Sequence, residues 1–194
     1  PLPDGEHYAC LSKGKILQYN YRNGKQTAVL FDPENTIKEK IRGAENFILS
    51  PDGQQMLIAT NIERIYRRSF TANWYIYNIR TKHLAKLSDY GPQQSPVWSP
   101  DGNQIAFVRE NNIFLIKLLY DNAESQVTKD GKRNEIINGV PDWVNEEEFA
   151  LSTSLCFTAD GSQICWIKYD ESNVTTYDMQ MYKGMKPEYV QYSE

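Results

Sequence analysis

Apolar and polar positions along this chain alternate in short runs, and turn residues separate the runs. Residues 96–108 show the pattern most clearly. Val97-Trp98 leads into Ser99-Pro100-Asp101-Gly102, and Ile105-Ala106-Phe107-Val108 follows, so two β-rich runs flank a tight turn. Each turn residue has its own reason to be there: proline presets φ, aspartate accepts from the backbone two residues on, and glycine takes the positive φ that strains other residues. Residues 47–60 repeat the arrangement around Ser50-Pro51-Asp52-Gly53, and Pro3-Asp4-Gly5 and Thr158-Ala159-Asp160-Gly161 are further copies. Further strands are predicted at 73–79, 112–119 and 176–182, while helical spacing is hard to find.

The turn aspartates, Asp4, Asp52, Asp101 and Asp160, recur about every fifty residues, the repeat length of a four-stranded propeller blade. A β-sandwich explains the strands but not the recurrence of one turn. The expected fold is therefore all-β: a β-propeller of four-stranded antiparallel blades, about four of them, forming part of a larger propeller. The approximate blades are residues 1–46, 47–95, 96–154 and 155–194, the last incomplete, within one segment spanning 1–194.

The last interval is about ten residues longer than the others, which places an insertion inside a blade. Within it, Asn138-Gly139-Val140-Pro141-Asp142-Trp143-Val144-Asn145-Glu146-Glu147-Glu148-Phe149 is the one stretch that does not read as a strand. Asp142 is placed to cap a short helix, and carboxylates near the start of that helix are favoured by its dipole. On residue types alone the Glu cluster also fits a solvated acidic turn.

Composition narrows the function. The chain has 194 residues, 40% of them hydrophobic, enough for a core without disulfides or metals. Lys and Arg number 21 against 25 Asp and Glu, a formal charge of -4, so there is no basic surface for a nucleic acid. The most apolar stretch, 113–119, is broken by Lys117 and is far short of the roughly 18 residues of a membrane span. Three cysteines without a C-x-x-C spacing and two distant histidines do not make a zinc site, and no cofactor is expected. Counting outward from the turn at 158–163 sets Cys156 opposite Cys165; the bridge would be strained, so two buried free thiols are expected. The chain opens on Pro1 with neither an initiator Met nor an apolar leader, which reads as a processed or excised piece.

The insertion, taken with the residues before it from Asn134, resembles the double-glutamate segment of the dipeptidyl peptidase IV family. A second segment, Tyr66-Arg67-Arg68-Ser69-Phe70-Thr71-Ala72-Asn73-Trp74-Tyr75-Ile76-Tyr77, resembles the family's loop carrying a substrate-binding arginine. Order and spacing agree from about residue 40 to 170, with Asn145 standing where the family pattern has tyrosine. The resemblance implies a propeller capping an α/β-hydrolase domain, in a serine peptidase that removes dipeptides, or in one subgroup tripeptides, from free N-termini after Pro or Ala. No G-x-S-x-G nucleophile elbow occurs in the chain, so the catalytic domain is absent from it and the fragment is expected to be inactive alone.

An exopeptidase must measure the distance from a free ammonium to the scissile bond, and two carboxylates clamp only an unblocked N-terminus. By the resemblance Glu147 and Glu148 are that clamp, and Arg67 donates to the peptide carbonyl while offsetting the mutual repulsion of the carboxylates. Spacing alone does not choose among Arg64, Arg67 and Arg68; the family motif selects Arg67. The resemblance further implies peptide substrates with a free N-terminus, a C-terminal α/β-hydrolase domain in the same parent chain, a homodimer, and a periplasmic or secreted location. The alternative is a non-enzymatic WD-repeat or TolB-like propeller acting as a protein interaction scaffold, which has no use for an acidic element inside a blade.

Overall fold

Strands in the middle of the chain are apolar at consecutive positions because both of their faces are covered. The computed structural model describes residues 1–182 and 184–193, folded mainly as antiparallel strands with one α-helix. β1 (His7–Ser12), β2 (Lys15–Asn20) and β3 (Gln26–Phe31) form a three-stranded sheet. β4 (Ile37–Lys38), β5 (Asn46–Leu49), β6 (Gln55–Arg64), β7 (Phe70–Asn78) and β8 (His83–Lys86) form the second, in the order β4-β8-β7-β6-β5, with β4 parallel to β8 at its edge. β9 (Gln94–Trp98), β10 (Gln104–Arg109), β11 (Asn112–Lys117) and β12 (Ala123–Gln126) make an antiparallel four-stranded meander.

Successive side chains of a strand point to opposite faces, so each central strand feeds two cores. From β6, Leu57 and Ala59 pack with Ile105, Phe107 and Ile116 of the third sheet, while Met56 and Ile58 pack with Ile16 and Phe31 of the first. From β10, Ala106 and Val108 turn the other way, toward Val140 and Leu155. All seven of the β6 and β10 side chains Met56, Leu57, Ile58, Ile105, Ala106, Phe107 and Val108 are fully buried. Each large one contributes about 1.5–3 kcal/mol of hydrophobic stabilisation.

The remaining elements are β13 (Ile136–Asn138), α1 (Trp143–Phe149), β14 (Leu155–Phe157), β15 (Ile164–Trp166), β16 (Lys168–Asp170) and the hairpin of β17 (Thr176–Met181) with β18 (Glu188–Ser193). β13 pairs with β16 from Ile136↔Asp170 to Asn138↔Lys168, and β14 pairs with β15 from Leu155↔Trp166 to Phe157↔Ile164. β13 and β14 therefore lie end to end against one continuous partner, and residues 139–154 are an excursion from a single strand line. Its neck is tied by three backbone bonds: Gly139 N–H to Ile167 O at 3.1 Å, Ile167 N–H to Ser154 O at 2.9 Å, and Ser154 N–H to Gly139 O at 2.9 Å.

All four repeated turns work as their sequence predicts. Asp4, Asp52, Asp101 and Asp160 each accept from the amide two residues on, and Gly5, Gly53, Gly102 and Gly161 each take a positive φ near 70°. Cys156 does face Cys165 across the β14–β15 ladder and all three cysteines are free, but both are exposed. The expectation of burial is corrected by strand alternation: Leu155, Phe157 and Ile164 take the core face, and the two thiols take the other.

Candidate functional site

Two departures from regular sheet structure meet in space. The first is the β6–β7 hairpin, which continues past a bulge between Thr60 and Glu63. Asn61 at the bulge is left-handed, with φ of 53°. The Glu45 carboxylate receives the amides freed there, Asn61 N–H at 2.6 Å and Ile62 N–H at 3.3 Å. The extension ends in a tip closed by Ile65 N–H donating to Ser69 O at 3.0 Å.

The second is the excursion and its helix. Asp142 caps α1 by accepting from Asn145 N–H at 2.8 Å, and Asn145 reinforces the cap with its own side-chain amide, also at 2.8 Å. Ala150 ends the helix in a left-handed conformation, with φ of 56°. The burial on this helix is inverted. Trp143, Val144 and Phe149 are exposed, while Glu146 is fully buried and is the one buried residue of the element.

Glu146 joins the two departures. Its Oε1 accepts from Arg68 N–H at 2.6 Å and Ser69 N–H at 2.8 Å, and its backbone carbonyl accepts from the Arg68 guanidinium at 3.0 Å. Glu146 Oε2 and Ser69 Oγ are buried at this junction with no hydrogen-bond partner. Periodicity offered a signal for this residue that went unread. Three consecutive carboxylates on a helix sweep about 200° of its circumference, so one of them has to face the body of the protein.

The three arginines of the tip separate by partner. Arg64 reaches the Arg67 carbonyl at 3.5 Å and lies 5.9 Å from the Phe70 ring centre, and Arg68 is committed to Glu146. Arg67 pairs with Glu147 at 3.2 Å, with 71% of its side chain exposed against 17% for Glu147. Glu148, the next residue round the helix, is exposed, and its side chain has no ion pair or hydrogen bond among the described residues. The sequence-selected set of Arg67, Glu147 and Glu148 thus lies on two elements that touch, with one carboxylate already facing a cation and one open to solvent.

Beside this set is a cleft of about 640 Å³, walled by Arg64, Tyr66 and Ser69 from the tip, by Val140, Asp142 and Trp143 from the excursion, and by Glu110, Lys132 and Arg133 from the third sheet and its exit. Arg67, Glu147 and Glu148 are not among its walls. No group of three or more His, Cys, Asp or Glu side chains is arranged to hold a metal among the described residues. No helix among them is long and apolar enough to cross a membrane.

Residues 50–194 match the family model described as the dipeptidyl peptidase IV (DPP IV) N-terminal region. The chain is 34% identical over 202 aligned positions to a probable dipeptidyl-aminopeptidase B of Emericella nidulans, covering 96% of this chain and 22% of that protein. It is 33% identical to a dipeptidyl peptidase 4 of Trichophyton equinum, covering 93% of this chain and 23% of that protein. Among solved structures, the Porphyromonas gingivalis dipeptidyl peptidase 4 superposes with a TM-score of 0.93 at 38% identity, over 99% of this chain and 28% of the other. The chain thus spans only about a quarter of the length of the relatives it matches.

Proposed function

We propose that this chain, which belongs to the family of dipeptidyl peptidase IV N-terminal regions, is the part of a serine exopeptidase that gates the substrate and recognises its free N-terminus. The stacked sheets are blades of a propeller, about four in this chain, and the catalytic α/β-hydrolase domain belongs to the remainder of a longer parent chain. The parent enzyme releases dipeptides, or tripeptides, after Pro or Ala, works as a homodimer and acts in the periplasm or outside the cell. The names and lengths of the relatives support this reading, and they lend none to an interaction scaffold.

One observation carries the site assignment: Arg67 and Glu147, from segments far apart in sequence, meet at 3.2 Å beside an unpaired Glu148. A substrate ammonium entering there completes a two-carboxylate, one-ammonium cluster, while Arg67 donates to the first carbonyl of the peptide. An N-acylated peptide has no cation to offer and leaves the carboxylates repelling each other. The test is binding of a proline-containing dipeptide amide by the parent enzyme, measured by calorimetry against its N-acetylated twin. The free amine should bind at least about tenfold more tightly. Equal affinities would remove the reading.

A further inference from the structure

We propose that Glu146 is a positioning residue: its buried carboxylate docks the β6–β7 tip on α1, and so sets the gap between Arg67 and the Glu147–Glu148 pair. The helix has no hydrophobic anchor of its own, since its Trp143, Val144 and Phe149 side chains are exposed. Its hold on the tip comes through Glu146, which receives two consecutive amides on one oxygen and returns its own carbonyl to the Arg68 guanidinium. Arg67 is the residue immediately before the first captured amide, and Glu147 is the residue immediately after the captor. With no residue between either docking group and its neighbour in the Arg67–Glu147 pair, a slip at the docking point passes to that pair with few torsions to absorb it.

Two carboxylates bracket the hairpin extension. Glu45 holds the amides at its base and Glu146 those at its tip, so an element that would otherwise be a mobile loop is pinned at both ends. What the tip requires is an acceptor at a fixed reach, and charge is secondary. A carboxamide supplies that acceptor. It also sets its NH2 where Oε2 now has no partner, in a junction that offers the equally unpartnered Ser69 hydroxyl as acceptor. Aspartate keeps the charge but falls one methylene short.

Glu146→Gln and Glu146→Asp therefore separate reach from charge, and amide hydrogen exchange reads the result at Arg68 and Ser69 directly. In Glu146→Asp these two amides should exchange about tenfold or more faster than in the parent sequence, while β10 amides keep their protection; in Glu146→Gln they should stay within about threefold. In the parent enzyme, Glu146→Asp should raise KM for a free dipeptidyl substrate by about tenfold or more with kcat less affected, and Glu146→Gln should restore it. Equal exchange in all three proteins overturns the docking role. So does loss in Gln with retention in Asp, which would make the charge decisive, and so does uniform loosening of β10 in Asp, which would make Glu146 a general core residue. The role in placing Arg67 rests on the proposed function, but the exchange experiment does not. If the amides behave as expected and Arg67→Ala leaves substrate affinity unchanged, the docking stands and the functional reading falls.

Discussion

The Arg68 amide donates to Glu146 Oε1 at 2.6 Å across 78 residues of sequence. Removing that acceptor strands backbone donors in a buried junction, at a cost of about 1–3 kcal/mol for each unsatisfied group. Glu146→Ala is therefore expected to destabilise the chain more than Trp143→Ala or Phe149→Ala, although by residue type the aromatics look like the anchors. Those two are 44% and 69% exposed, and truncating each should shift stability by no more than about 0.5–1 kcal/mol. Urea denaturation of the three variants checks the order.

Arg67 makes the opposite forecast. Its guanidinium is mostly exposed, and exposed ion pairs contribute about 0–1 kcal/mol, so Arg67→Ala should leave the melting temperature nearly unchanged. On the proposed function the same substitution should lower kcat/KM of the parent enzyme by roughly 10- to 150-fold, as should Glu147→Gln and Glu148→Gln, because each would remove a charge-assisted contact to substrate. The chain by itself should hydrolyse nothing. Turnover of a chromogenic glycyl-proline substrate that persisted through repurification would contradict this.

The repeated turns make the fold sensitive to acid. Hydrogen bonds from the Ser50 and Ser99 hydroxyls, and then from backbone amides, hold Asp52 and Asp101 below the usual carboxylate range. The Thr158 hydroxyl and the Ser162 amide bring Asp160 down to about 2. A carboxylate whose folded pKa is depressed contributes stability above its unfolded value and loses it as pH falls through the folded one. For Asp160 that window runs from 3.8 down to about 2. Melting temperature should be flat above pH 5 and fall through this range, and Asp160→Asn should make the fall shallower.

Gly139 has φ of 79°, and a Cβ built on it would lie 3.1 Å from both Ile113 Cγ1 and Val108 Cγ2. Gly139→Ala should cost about 1–2 kcal/mol for the left-handed backbone alone, with more from crowding against the core. Because the residue forms the neck of the excursion, the damage should reach α1 before the sheets. Amides of 143–149 should lose protection while those of β6 and β10 keep theirs.

Cys156 and Cys165 stand opposite one another, and all three cysteines are free and exposed. A thiol reagent should therefore titrate three groups in the folded chain without reductant or denaturant. A count of one would mean that the ladder pair had closed into a disulfide.

Much of the fold was legible because its punctuation is chemical. An Asp-Gly turn dictates its own geometry, and its four copies, three of them led by proline, fix where strands reverse and which residues lie opposite, down to Cys156 and Cys165. Which face of β14 is covered was not legible, since Cys156 and Leu155 are neighbours with similar hydrophobicity and the choice depends on Val108 and Ile113 from another sheet. The same limit applied at the site. Spacing could not rank Arg64, Arg67 and Arg68, because what distinguishes them is the partner each meets, and those partners include Glu146 and Glu147 from far along the chain. The split of one strand into β13 and β14 was invisible for a related reason: its two halves look like separate short runs until their common partner is known.

That split strand makes the 139–154 excursion a cassette. The two ends of the 139–154 excursion are hydrogen-bonded to each other and to the same residue, Ile167, so the sheet runs on beneath it as though nothing had been inserted. Val140 packs in the core with Val108 and Leu155, but beyond it the length and contents of the excursion can vary without shifting the register of any neighbouring strand, and a short glycine bridge from Val140 to Ser154 should leave the sheets folded while deleting Glu147 and Glu148. The stacked sheets are then a chassis, and the residues that hold its core together are largely separate from those that the proposed function assigns to the substrate.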